Sequence, residues 1–227
     1  MSYFGKTMSI LFVIFLIVPA YSLGAEVNEE YKGVLAEWES SYTKAVNERD
    51  ADSGGLSFEF YDMSDLGSAK AYYALYDIDG NGIPELILRK TSSYEDIIAY
   101  IFTIKNGKAV NIFGYYGKDF SYMEGKPREV PWSRAGSSVI LSSGLIDSTD
   151  GDYAVYRIAD DGYSVIKFAS SEPYDYPDEA SLDEAEWRYY ANNKQVDYDA
   201  YVRHLNEHGY KIGGNNTRAK IDWVAVK

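Results

Sequence analysis

The chain has 227 residues, with 22 Lys and Arg against 35 Asp and Glu, a formal net charge of −13, 23 tyrosines and no cysteine. An acidic surface of this kind repels phosphate backbones, which argues against nucleic-acid binding, while it favours solubility and attracts cations. With no disulfide to draw on, stability must come from packing and from any bound metal.

The first segment reads as an export signal. Lys6 precedes the apolar run Met8–Ala20, which is followed by the small residues of Ala20–Ala25. The run is shorter than the roughly 20 residues a membrane-spanning helix needs, and it suits a secretory signal. Cleavage is expected after Ala25, or alternatively after Ser22, leaving residues 26–227 as a single domain with no membrane segment in the mature form.

Residues 27–48 predict one amphipathic helix, because Val27, Tyr31, Val34, Leu35, Trp38, Tyr42, Ala45 and Val46 recur on one face. The period then changes to two. Tyr72–Tyr76 and Leu86–Arg89 predict strands around an Asp-rich loop. Ile98–Ile104 and Ala109–Phe113 flank Asn106-Gly107, a tight hairpin signal, and Tyr153–Ile158 and Ser164–Phe168 flank a turn at Ala159–Gly162. Ser138–Leu141 reads as a short strand, residues 114–136 as a long loop, and the acidic stretch Glu172–Glu186 as a surface loop. Residues 186–192 read as a strand or the start of a helix, since Ser181–Glu184 resembles a capping box. Asp197 caps a helix Tyr198–His208 that ends at Gly209, and Lys220–Val226 alternates like a last strand. These elements predict an α+β fold: an N-terminal amphipathic helix packed on an antiparallel β-meander sheet, with a short helix near the C-terminus.

One motif carries chemistry. In Asp77–Glu85 (DIDGNGIPE) oxygen-bearing side chains stand at positions 1, 3 and 5 as Asp77, Asp79 and Asn81. Gly82 at position 6 permits a sharp turn, Ile83 at position 7 offers a backbone carbonyl, and Glu85 at position 9 offers a further carboxylate. Calcium takes six to eight oxygens, and this alternation is how the first nine positions of an EF-hand loop supply them. Position 12, where an EF-hand has a bidentate Glu, is Leu88, and an apolar strand follows in place of a helix. The pattern therefore resembles the strand–loop–strand DxDGxGxxEL calcium loops of the FG-GAP/VCBS type over about Tyr72–Leu88. That resemblance implies Asp77, Asp79, Asn81, the Ile83 carbonyl and Glu85 as ligands of Ca2+, with a sixth oxygen from water or from Glu95 or Asp96. More broadly, the chain resembles small exported bacterial proteins that share a signal, this hairpin, further Asn/Asp-Gly hairpins and a late helix (here Val196–Tyr201 onward), a likeness that brings no activity with it.

Weaker signals stand beside it. His204-Leu-Asn-Glu207-His208 matches the H-x-x-E-H zinc pattern, but it sits at a helix end, where His offsets the helix dipole. Asp147, Asp150 and Asp152 read as a plain turn or a degenerate second calcium loop. No nucleophile elbow, phosphate loop or dinucleotide fingerprint is present. The sequence thus points to an exported, calcium-stabilised, non-enzymatic domain acting in the cell envelope or the extracellular medium, where it binds a glycan, peptide or protein. The alternative is a small secreted hydrolase using paired carboxylates or a His204/His208 metal site.

Overall fold

A computed structural model describes residues 27–48, 56, 67–93, 96–114, 137–150, 152–173 and 186–227. The expected signal, residues 1–25, lies outside them, as do Glu95, the capping box at Ser181–Glu184 and most of the two long loops. Helix α1 spans Glu29–Glu48. Strands β1 (Lys70–Tyr76), β2 (Glu85–Thr91), β3 (Asp96–Lys105) and β4 (Lys108–Gly114) follow as an antiparallel series. Next come β5 (Ser137–Ile140), β6 (Leu145–Asp150), β7 (Asp152–Ile158), β8 (Val165–Pro173), β9 (Trp187–Ala191) and β10 (Lys194–Val196), again antiparallel to their neighbours. Helix α2 (Tyr198–Glu207) and the two-residue β11 (Val224–Ala225) complete the chain. No helix among the described residues is long and apolar enough to cross a membrane.

The α+β expectation is corrected. The described chain is mainly β: one mixed sheet of 11 strands with two helices, and the N-terminal helix is not the layer that closes the sheet. The two halves of the sheet pack against each other. Strands β1–β4 with β11 form one half and β5–β10 the other, joined by the parallel pairing of Asp96 with Ser137. The Ile98 amide also donates to the Ser138 hydroxyl across this junction. Between the halves lies an apolar cluster to which the first contributes Ile87, Ile98 and Ile101, and the second Ile140, Ile146 and Tyr156. The rings of Phe113 and Tyr156 meet edge to face across it at 5.4 Å.

Burial of β2 and β3 on both faces explains this arrangement. Leu86 and Leu88 point to one cluster and Ile87 to the other, as alternation requires. In β3 the register with β2 skips Ala99, and this bulge lets both Ile98 and Ile101 face the inner cluster. The outer cluster of β1–β3 takes in Tyr31, Trp38 and Ala45, all fully buried, and the Trp38 and Tyr100 rings meet edge to face at 6.0 Å. On the outer side of the second half, Leu141, Leu145, Val155 and Phe168 bury Tyr201 and Leu205 of α2. The C-terminal tail bridges the halves: Ala219 donates its amide to the Ile140 carbonyl, and Val226 donates to Ala71.

The three hairpins marked by their turns form as expected. Asn106 and Gly107 have φ of 52° and 69°, the left-handed pair a tight hairpin demands. Asp197 caps α2 by accepting the Ala200 amide at 2.7 Å. Two local readings are corrected, and of the two alternatives for residues 186–192 the strand is the one that forms. Residues 145–150 are strand β6, so Asp147 lies within a paired strand rather than in a turn or a second calcium loop. Residues 187–191 are β9, hairpinned to β10 through Asn192 and Asn193 with φ of 48° and 61°. The predicted last strand shrinks to Val224–Ala225.

Candidate metal centre

The β1–β2 loop places its acidic residues where the sequence spacing brings them. Asp77, Asp79 and Glu85 each present a carboxylate oxygen within 4.8 Å of the others, forming a group able to hold a metal ion. Gly80 and Gly82 have φ of 75° and 87°, a left-handed conformation that costs glycine little. The chain thereby turns its backbone amides inward. Gly82 N–H donates to Asp77 Oδ2 (2.8 Å), Asn81 N–H to Asp79 Oδ1 (3.0 Å) and Ile83 N–H to Asn81 Oδ1 (2.7 Å). Asn81 Nδ2 donates to Asp79 Oδ2 at 2.9 Å, so its side chain belongs to the same network.

Glu85 is the anomaly. It opens β2 with no exposed surface, and its Oε2 accepts the Ile78 amide at 2.8 Å. Thr103 of β3 offers its hydroxyl to Oε1 at 3.4 Å, too long for a strong bond. Burial, together with the nearby Asp79 and Asp77 charges, pushes the Glu85 carboxyl up to about 7 against the opposing pull of the Ile78 amide. Asp77 Oδ1 is buried without a hydrogen-bond partner. Three carboxylates crowded together, one fully buried and one with an orphaned oxygen, are poorly compensated by protein groups alone.

Residues outside the motif surround the loop. The Tyr31 hydroxyl of α1 donates to the Pro84 carbonyl at 3.0 Å, holding the loop's exit. A Cβ on Gly144, in the β5–β6 turn with φ of 76°, would stand 2.9 Å from the Ile78 carbonyl. Gly162, in the β7–β8 turn, lies beside Asp79, its imagined Cβ 3.7 Å from Oδ2. Between the loop and that turn runs a cleft of about 440 Å³ bordered by Asp79, Asn81, Thr103, Asp160 and Tyr163. None of these partners carries a local sequence signal beyond the turn glycines.

The proposed sixth ligand fails for Asp96. It sits at the far end of β2 and β3, opposite Thr91, and its carboxylate pairs with Arg89 through two 2.7 Å bonds. The side chain of Ile83 is exposed.

One ring nitrogen of each histidine is taken up by a backbone carbonyl, and both rings pack on one phenylalanine. Both rings lie against Phe168, with centroids 4.4 Å away. His204 Nε2 lies 3.1 Å from the Phe168 carbonyl and His208 Nδ1 lies 2.9 Å from the His204 carbonyl; because carbonyls only accept, both nitrogens are donors. Among the described residues, the one group of three or more metal-ligating side chains is Asp77, Asp79 and Glu85, and neither histidine belongs to it. No family model, curated protein or solved structure matches the chain.

Proposed function

We propose that the Asp77–Glu85 loop binds calcium, and that the chain is an exported, calcium-stabilised, non-enzymatic domain. The observation that carries this reading is Glu85, a fully buried carboxylate held beside Asp77 and Asp79. A divalent cation relieves all three charges at once. Its chemistry follows from the donors, which are all oxygens: three carboxylates, the Asn81 amide and the Ile83 carbonyl, as hard cations prefer. The loop is short, lacks an acid at position 12, and leaves its remaining coordination to water. An affinity in the weak range of extracellular modules, about 10⁻⁴–10⁻³ M, fits that ligand count. Such a site fills where calcium is plentiful, which agrees with the export signal read at residues 1–25. Its acidic surface and its exposed Tyr153 and Tyr198 suit an uncharged or cationic partner such as a glycan or peptide.

The test is thermal melting of the mature chain in excess calcium and in chelator. Calcium at a hundredfold excess over Kd adds about 2.7 kcal/mol of stability, and Asp79→Ala abolishes the shift. An unchanged melting temperature in the wild-type chain overturns the calcium reading.

A further inference from the structure

We infer that the calcium-loaded loop is a staple that holds the two halves of the sheet together, at the end opposite their hydrogen-bonded junction; this rests on the calcium reading above. The junction at Asp96–Ser137 lies at the Thr91 end of β2, whereas the loop lies at the Glu85 end, about 20 Å away along the strand. Among the described residues, the strand pairing between the halves is the one at Asp96–Ser137, and none joins them at the loop's end. Turns from the second half close on the loop there instead.

Ile78 is the point of transmission. It stands between two expected ligands, Asp77 and Asp79, and its amide donates to a third, Glu85. Its carbonyl is approached so closely by Gly144 that no side chain fits between them. Its own side chain is buried in the inner cluster with Ile140, Ile146 and Ile158, all from the second half. The β7–β8 turn comes near the loop as well: a Cβ on Gly162 would stand 3.7 Å from Asp79 Oδ2 and 3.9 Å from Asn81 Nδ2. Lys105, at the end of β3, places its ammonium 4.2 Å from the centre of the Tyr163 ring on that same turn. A cation that draws Asp77, Asp79 and Glu85 inward fixes the Ile78 peptide group, and with it the surface on which both turns rest. The coupling is reciprocal: whatever loosens the turns weakens cation binding by the same factor by which the cation tightens them.

Amide hydrogen exchange of the full chain, in excess calcium and in chelator, reads this directly. Slower exchange in calcium is expected in turns 141–145 and 159–164 as well as in the loop. Protection confined to residues 77–85 overturns the staple while leaving calcium binding intact. Calcium titrations of two variants provide the second measurement. Gly144→Ala places a methyl against the Ile78 carbonyl, whereas Gly213→Ala imposes similar backbone strain (φ of 62°) with no atom of the described residues within 4 Å of its Cβ. A loss of affinity of about fivefold or more is expected for Gly144→Ala and none for Gly213→Ala. Equal affinities overturn the staple. No response to calcium anywhere in the wild-type chain overturns the calcium reading, and the staple with it.

Discussion

Tyr31, in the first turn of α1, donates its hydroxyl to the carbonyl of Phe102, 71 residues later in β3, at 3.2 Å. The same hydroxyl reaches the Pro84 carbonyl at the exit of the acidic loop, so one phenol ties the helix to both a central strand and that loop. Burial and the neighbouring Glu85 charge raise its pKa, which keeps it a neutral donor at all ordinary pH.

Replacing Tyr31 with Phe keeps the buried ring and removes the donor from two carbonyls. A loss of about 1–2 kcal/mol is expected in denaturant unfolding. A loss within error of zero would show that water replaces the hydroxyl at both acceptors.

Trp38→Ala removes the largest fully buried side chain of the outer cluster, and its edge-to-face contact with Tyr100. The expected cost is about 3–5 kcal/mol. Near-UV circular dichroism should lose intensity together with the fall in stability. A cost below 1 kcal/mol would mean that α1 adds little to the packing of β1–β3.

Asp147 supplies a pH dependence separate from the acidic loop. Burial, opposed by the Tyr210 hydrogen bond and the Arg218 charge, holds its carboxyl above the ordinary value. The native state thus keeps this proton more tightly than the unfolded chain does. The resulting stabilisation is complete below the ordinary carboxylate range, near pH 4, and is lost as pH rises through the folded pKa. Asp147→Asn carries no such charge, and Tyr210, which donates to Oδ2 at 3.0 Å, can still donate to the amide oxygen. Relative to wild type, the variant should gain stability as pH rises from 4 towards 7 in urea unfolding. A constant difference over that range would contradict the raised pKa.

Asp197→Ala deletes the acceptor of the Ala200 amide at the start of α2. A loss of about 1 kcal/mol is expected, with faster exchange of the Ala200 amide. Equal exchange in both proteins would show that the cap contributes nothing.

Local chemistry was readable wherever it is written in consecutive residues. Asp77, Asp79 and Glu85 converge because a nine-residue loop with glycines at positive φ has few other ways to turn. The Asn106-Gly107 hairpin and the Asp197 cap follow the same logic. Segment 145–150 misled because Asp147, Ser148 and Asp150 are turn-forming types. Pairing with β7 and burial against Tyr210 overrode that preference. The hairpin at Asn192–Asn193 did leave a mark, since asparagine tolerates positive φ better than most residues.

The sequence by itself determined an acidic, cysteine-free chain, the amphipathic helix α1, three hairpins and an oxygen-rich loop, because each depends on neighbours within a few positions. Its apolar run Ile97–Phe102 also held the sign of two-sided burial, but not what would cover each side. Only the tertiary structure decided that the first half of the sheet packs its inner face on the second half. The same tertiary structure buries Glu85 completely and brings Tyr31, Thr103, Gly144 and Gly162 around the loop. Those outcomes depend on contacts between residues tens of positions apart, which are selected by the apolar surface left to bury and by the bulge at Ala99 that sets which face each side chain takes.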